Sequence, residues 1–142
     1  MQTAGYSGTP LEKKLGIKEG FKIKLINAPV HYLQLFLDFP SNTKIIKDTT
    51  TKVDFVHFFT LDTEELNNKI PVFKNQLQPD GMMWISWYKK SAKMATDVTE
   101  DVIRNIALKN GLVDIKVCAV DEVWSGLKLV IPVNERPGKK GR

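Results

Sequence analysis

The 142-residue sequence predicts one α/β domain built on a mostly parallel sheet. Two runs, residues 53–59 and 82–88, are apolar at almost every position, the pattern of strands covered on both faces. Capped helical segments stand between such runs, the order of a parallel-sheet domain. Near the C-terminus two strand-like segments, residues 113–120 and 127–133, are separated only by residues 121–126, which suits a closing antiparallel hairpin.

Each element has its own signal. Thr9, Pro10 and Glu12 have capping-box spacing with proline at the first helical position, so a short helix is predicted from Pro10 to Leu15, stopped by Gly16 and acting as a lid on one end of the sheet. Residues 21–26 alternate apolar and basic side chains and read as the first strand, with Asn27 to His31 as its exit loop. Residues 32–39 are apolar enough for a short buried helix ended by Pro40. Residues 44–47 read as a brief strand, although only residues 48–52 separate it from the next, and adjacent parallel strands need a crossover of a dozen or more. A helix capped near Asp62 runs to about Leu77, with Pro71 predicting a kink or a late restart. Residues 78–81 form the turn into the 82–88 strand, which should be central. Another helix starts at residues 96–100, with Asp97 and Glu100 at capping-box spacing, an apolar stripe of Val102, Ile103, Ile106 and Ala107, and a stop at Gly111.

Composition narrows the function classes. The 42% apolar and 26% charged content is that of a globular chain, and one core that buries roughly 70% of the unfolded surface is expected at this length. No run approaches the roughly 20 apolar residues that cross a bilayer, and residues 1–8 do not resemble a signal peptide, so a cytoplasmic location and no membrane role are expected. The single Cys118 cannot form an internal disulfide, which agrees with that location. Of the net charge of +5, residues 134–142 hold Arg136, Lys139, Lys140 and Arg142 against Glu135, a net +3 that leaves +2 for the rest. The organisation expected is therefore a domain over 1–133 and a basic, solvated tail over 134–142, with nucleic-acid binding by that tail as a minor reading.

The series helix, Leu77-Gln-Pro-Asp-Gly81, strand, helix, Gly111-Leu-Val113, strand, hairpin and strand resembles the C-terminal half of class I S-adenosylmethionine methyltransferases. In that family a helix ending Leu-x-Pro-Gly-Gly feeds a central strand; here Asp80 stands where the first glycine would be. The resemblance implies a Rossmann-like, methyltransferase-like three-layer sandwich. The chain also resembles, from about Gly5 to Val130, a family of small bacterial proteins catalogued only as a domain of unknown function. That likeness rests on Gly5-Tyr-Ser-Gly-Thr-Pro-Leu11, Asn27-Ala-Pro29, Trp87-Tyr-Lys-Lys90, Thr96-Asp-Val-Thr-Glu100 and the run from Lys116 to Lys128, with tyrosine at 88 where proline is expected. It implies no activity.

Methyltransferases of this class carry a glycine turn after the first strand, where side chains would collide with the cofactor. Here the loop is Asn27-Ala-Pro-Val-His31, and no acidic residue ends a well-formed second strand to hold a ribose. The sequence therefore implies no cofactor, and no His, Cys, Asp or Glu grouping has metal-ligand spacing. Ligands of open α/β sheets bind where parallel strands end. That rule gathers Asn27 and His31, Trp87 with Lys89, Lys90 and Ser91, Asp97 at a helix start, and the turn with Asp121, Glu122, Trp124 and Ser125. Lysines beside a helix N-terminus fit a small anionic ligand. The bland alternative is that Asp121 and Glu122 pair with Lys89 and Lys90 and lock the hairpin down.

Elsewhere the structural reading prevails. His57 lies within an apolar strand and reads as a satisfied core histidine, Cys118 as packing, and Trp84, Trp87 and Tyr88 as core rather than a base-stacking platform. Ser86, Ser91 and Ser125 have no identifiable base. The sequence thus favours a non-catalytic binding domain for a small anionic ligand or a protein partner over an enzyme. A diverged S-adenosylmethionine-dependent methyltransferase is the alternative, and the catalytic residues and oligomeric state stay open.

Overall fold

A computed structural model describes residues 8–136. Six strands form one sheet in the order β2-β1-β3-β4-β6-β5, where β1 is Lys22–Ile26, β2 Lys44–Ile45, β3 Val53–Phe59, β4 Leu77–Tyr88, β5 Val113–Ala119 and β6 Trp124–Val130. Strands β1 to β4 run parallel; β6 is antiparallel to β4, and β5 antiparallel to β6. The sheet lies between two layers, as predicted. One face packs Val56, Phe58, Met83, Ile85, Leu127 and Leu129 against two helices, α2 (Thr63–Gln76) and α3 (Glu100–Lys109). The other face, with Phe55, Phe59 and Trp84, is covered by α1 (Leu11–Leu15) and by Tyr32 and Phe36 of the β1–β2 connection. Strand alternation explains the division: successive side chains of β3 and β4 go to opposite layers, and both layers are apolar.

Several local expectations are corrected. Pro10 takes the N-cap position of α1 instead of the first helical one and supplies no side-chain cap. The helix stops at Gly16 with φ 83°, as predicted, but it lies on a sheet face and not over an end: the Trp84 indole N–H donates to the Leu15 carbonyl at 2.9 Å. Residues 32–39 form only a single 3₁₀ turn, Tyr32–Leu35. Pro71 sits inside α2 without a restart, since the helix runs continuously from Thr63 to Gln76. Residues 78–81 form an irregular start to β4 in place of a free turn: Val53 pairs with Leu77 and Phe55 with Met82, so β4 carries the extra residues. Asp97 does not cap α3. Thr99 does, its hydroxyl accepting from the Val102 N–H at 3.2 Å. The segment from residue 134 begins with a 3₁₀ turn, Val133–Glu135, and Arg136 Nε donates to the Ile131 carbonyl; the remainder of the expected tail lies outside the described residues.

The short link between β2 and β3 has a simple geometry. These strands are not neighbours: β1 lies between them, and both Ile45 and Phe55 stand opposite Ile23. The chain therefore steps back only as far as Val53 and crosses two strand spacings, about 10 Å. A two-residue β2 makes that possible without a helix. The link is pinned from two sides, since Gln76 Nε2 donates to the carbonyls of Asp48 and Thr51 at 2.9 and 2.8 Å, and Lys24 Nζ donates to the Asp48 carbonyl at 2.7 Å. The Asp48 carboxylate accepts the Thr51 and Thr50 backbone N–H groups and the Thr51 hydroxyl, and these bonds, led by that of the Thr51 N–H, hold it below the usual carboxylate range.

His57 is the core histidine the sequence predicts. Fully buried, it lies between the Tyr32 hydroxyl, 2.8 Å from Nδ1, and the Ser86 hydroxyl, 2.8 Å from Nε2, and stacks on Phe59. Burial pushes its pKa down to about 3. The unfolded chain, with an ordinary histidine near 6.5, then binds the extra proton between the two values, so this contribution is complete above about pH 6.5 and declines as pH falls towards 3. Between pH 7 and 5 it should cost about 2 kcal/mol, and urea unfolding of His57→Gln should show a pH dependence shallower by that amount. A slope unchanged by the substitution contradicts the neutral buried ring.

Gly81 is where the irregular start of β4 meets β3. A Cβ there would lie 2.9 Å from Leu77 Cδ1 and 3.0 Å from the Asp54 carbonyl oxygen. Gly81→Ala should therefore lower the unfolding free energy by about 1–3 kcal/mol through overpacking, read from urea midpoints; a change below about 0.5 kcal/mol would mean that the strand start yields freely.

Candidate functional site

The parallel strands β1, β3 and β4 end on one rim, and the antiparallel direction of β6 brings the β5–β6 turn to the same rim: Tyr88, the last residue of β4, pairs with Trp124, the first of β6. The Lys89 N–H donates to the Val123 carbonyl at 2.9 Å, and His31 Nε2 lies 3.7 Å from an Asp121 carboxylate oxygen. The loops that the sequence assigned to one rim do share it.

The rim divides into two clefts. The first, of about 370 Å³, is lined by Asn27, Phe59, Thr60, Leu61, Asp62, Glu65, Tyr88 and Trp124. Its aromatic wall is built by packing: Tyr88 and Trp124 stack with centroids 4.4 Å apart, and Phe59 meets Trp124 edge-on at 5.0 Å. The opposite wall is polar. Asn27 adopts φ 59°, a left-handed conformation that asparagine tolerates better than most residues, and its side-chain amide donates to the Phe59 carbonyl at 3.1 Å and to Glu65 at 3.0 Å. Glu65 also accepts the Thr60 hydroxyl at 3.0 Å, while Asp62 caps α2 by accepting the Glu64 N–H. Among the described residues no cation pairs with Asp62 or Glu65.

The second cleft, of about 640 Å³, lies over the start of α3 and is lined by Trp87, Tyr88, Lys89, Lys90, Met94, Thr96, Val98, Thr99, Glu100 and Asp101. Neither Lys89 nor Lys90 pairs with Asp121 or Glu122, which corrects the expected hairpin lock. Asp121 instead closes its own turn, accepting the N–H groups of Val123 and Trp124 at 2.8 Å each. The helix start is already engaged: Thr99 caps it, and Glu100 and Asp101 both bind Arg104, which also holds Asp114 of β5 at 3.0 Å. Carboxylates at that end oppose an anion.

Of the sequence-predicted residues, Asn27 and Trp124 line the first cleft, and Trp87, Lys89 and Lys90 the second. Ser91, Glu122 and Ser125 line neither; Ser91 sits in the exposed 3₁₀ turn Lys90–Ala92, and Ser125 pairs with Trp87 across β4 and β6. Asp97 joins the two helix starts, its carboxylate accepting the Thr63 N–H at 2.9 Å and its carbonyl the Thr63 hydroxyl at 3.2 Å. The residues missed are those after β3: Thr60, Asp62 and Glu65. The strand-end rule, applied to β3 as it was to β1 and β4, would have reached them. Among the described residues no His, Cys, Asp and Glu side chains gather into a group that could hold a metal ion, and no helix is long and apolar enough to cross a membrane.

Neither a protein-family model nor a curated protein sequence matches this chain. Solved structures do. A putative type 11 methyltransferase from Sulfolobus solfataricus matches with a TM-score of 0.61 at 16% identity, over 88% of this chain and 91% of that one. Magnesium protoporphyrin IX methyltransferase (ChlM) from Synechocystis PCC 6803 with bound SAH matches with a TM-score of 0.58 at 13% identity, over 86% and 81%. LaPhzM matches with a TM-score of 0.59 at 11% identity; 80% of this chain is covered, which spans about half of that protein, 51%. The likeness covers most of the described chain and not only its second half, and at these identities it shows the fold alone. The fold is Rossmann-like and similar to that of these methyltransferase structures.

Proposed function

We propose that the protein is a diverged S-adenosylmethionine-dependent methyltransferase, with the Asn27–Trp124 cleft as its ligand site. One observation carries this reading: in a methyltransferase-type sheet, the cleft at the ends of β1 and β3 sets two carboxylates without a counter-cation against an aromatic wall. A sulfonium and an ammonium group suit that lining, since positive charge is attracted both to carboxylates and to aromatic faces. Asn27 supports it further, because its left-handed φ gives the turn after β1 a backbone conformation that glycine most readily adopts. When bound, the cofactor would supply an electrophilic methyl group. Glu65 and Asp62 would face its positive charges, Tyr88 and Trp124 would form the apolar wall, and Asn27 holds Glu65 in place.

The nucleoside half of such a ligand has less to rest on. Strand β2 ends at Ile45, opposite Ile23, so it stops short of the rim that β1 reaches at Ile26 and offers no carboxylate there. Affinity should accordingly depend on the charged end. Thermal melts with S-adenosylmethionine at a hundredfold excess over Kd should show stabilisation of about 2.7 kcal/mol, of order 10 °C. Glu65→Gln and Trp124→Ala should each reduce the shift, and uncharged adenosine should give less than the sulfonium compound. No shift at millimolar S-adenosylmethionine overturns the reading.

The larger cleft supports a second reading, a small anion or a protein partner at Lys89 and Lys90, because both lysines lack an acidic partner on the neighbouring turn. Replacing both with alanine should then abolish phosphate-dependent stabilisation while leaving the unliganded melting temperature within a degree or two, as surface charges contribute little to folding. Phosphate shifts that survive the double substitution exclude this cleft.

A further inference from the structure

The net charge of +5 has a second location in the folded domain, away from the rim. Lys116 and Lys128 are direct cross-strand partners on β5 and β6, a like-charge pairing that destabilises a sheet. A β-bulge produces it: β5 carries one extra residue between Asp114 and Lys116, so Asp114 reaches Arg104 of α3 while Lys116 comes opposite Lys128. Lys128 also pairs across the sheet with Trp84, whose indole N–H holds the Leu15 carbonyl, so the end of α1 and Lys18 just beyond it lie beside the lysine pair. Among the described residues Lys18, Lys116 and Lys128 form no ion pair. The crowding is felt: burial first, then the charges of Lys116 and Lys18, hold the Lys128 ammonium below its usual range.

The geometry points to a nucleic-acid-binding surface on the sheet face beside α1, in which Lys18, Lys116 and Lys128 contact a phosphodiester backbone. Mutually repelling lysines with no acidic partner are relieved by an anion that spans them, and a row of phosphates does so in sequence. A protein partner would ask for an apolar centre. On the same face, two positions towards the rim from these lysines stand Gly126, with no side chain, and Cys118, which is partly buried and paired with it; of the exposed apolar residues flanking Lys116, Val117 pairs with Leu127 of the opposite face and Ile115 is the bulged residue of the edge strand. This surface is independent of the rim clefts and of any ligand bound there.

Fluorescence anisotropy of the full chain with a labelled 20-base-pair DNA duplex, and with a single-stranded RNA of equal length, tests the assignment and separates the two sources of the backbone. Three phosphate contacts predict a log–log salt slope of about −2.7 on duplex DNA from the folded lysines, a loss of roughly 40-fold in affinity between 50 and 200 mM salt. Lys116→Ala with Lys128→Ala should make the slope shallower by about two while the melting temperature stays equal or rises, because a repulsive pair is removed. A salt slope left unchanged by the lysine-pair substitution overturns the proposal, as do absence of binding at 50 mM salt and equal affinity for poly-glutamate of the same charge.

Discussion

The direction of β6 governs the functional end of this molecule. Because β6 runs antiparallel to β4, its first residue, Trp124, stands beside the last residue of β4, Tyr88, and the turn before it opens over the ends of the parallel strands. The stacked rings contribute about 1 kcal/mol beyond the area they bury, and the Lys89 N–H to Val123 carbonyl bond fastens the turn beside them. A parallel β6 would carry Trp124 to the opposite end of the sheet. The cleft with Asn27 and Glu65 would then lose Trp124 from its aromatic wall, leaving Tyr88 and Phe59 without the ring that joins them.

The second determinant is the brevity of β2. Two residues pair with the start of β1 and no more, which lets residues 46–52 cross to β3 without a helix and leaves the β1–β2 connection as a single 3₁₀ turn packed through Tyr32 and Phe36. The same economy removes what a longer second strand would place at the rim. The strand order and closing hairpin give a Rossmann-like sheet whose β2 stops short of the rim, so likeness of fold does not by itself carry likeness of chemistry.

Much of this was legible in the residues. Continuous apolar runs identified β3 and β4 as central because a strand covered on both faces has no polar side to show, and Gly111 and Asp121 marked the turns that frame β5. What was not legible depends on contacts distant in sequence. Capping-box spacing at Asp97 and Glu100 suggested a cap on α3, yet Asp97 binds Thr63 of α2, a partner that only the packing of two helices supplies. Likewise the lysines after β4 and the acids before β6 suited each other in composition, but Asp121 found nearer donors in its own turn. Glu65 could be found only by following β3 to its end, and its bond to Asn27 joins loops whose sequence separation hides the contact.

The two surfaces are joined through β6 and a single buried indole. Trp124 faces the rim cleft and Lys128 the basic strip, and the four-residue step from one to the other spans about 13 Å. Midway lies Gly126, where a Cβ would come within 3.0 Å of the Trp84 ring. Its bare backbone lets β6 lie against Trp84, and Trp84 in turn holds α1 through the Leu15 carbonyl. The sheet face near Lys18 is therefore set by the same contact that sets the path of β6. Side chains at the two ends of the strand do not touch, so a change of charge at Lys128 acts on the strip and leaves the stacked rings at the rim as they are. A side chain at position 126 would act on both at once, by lifting β6 from the indole that fixes α1.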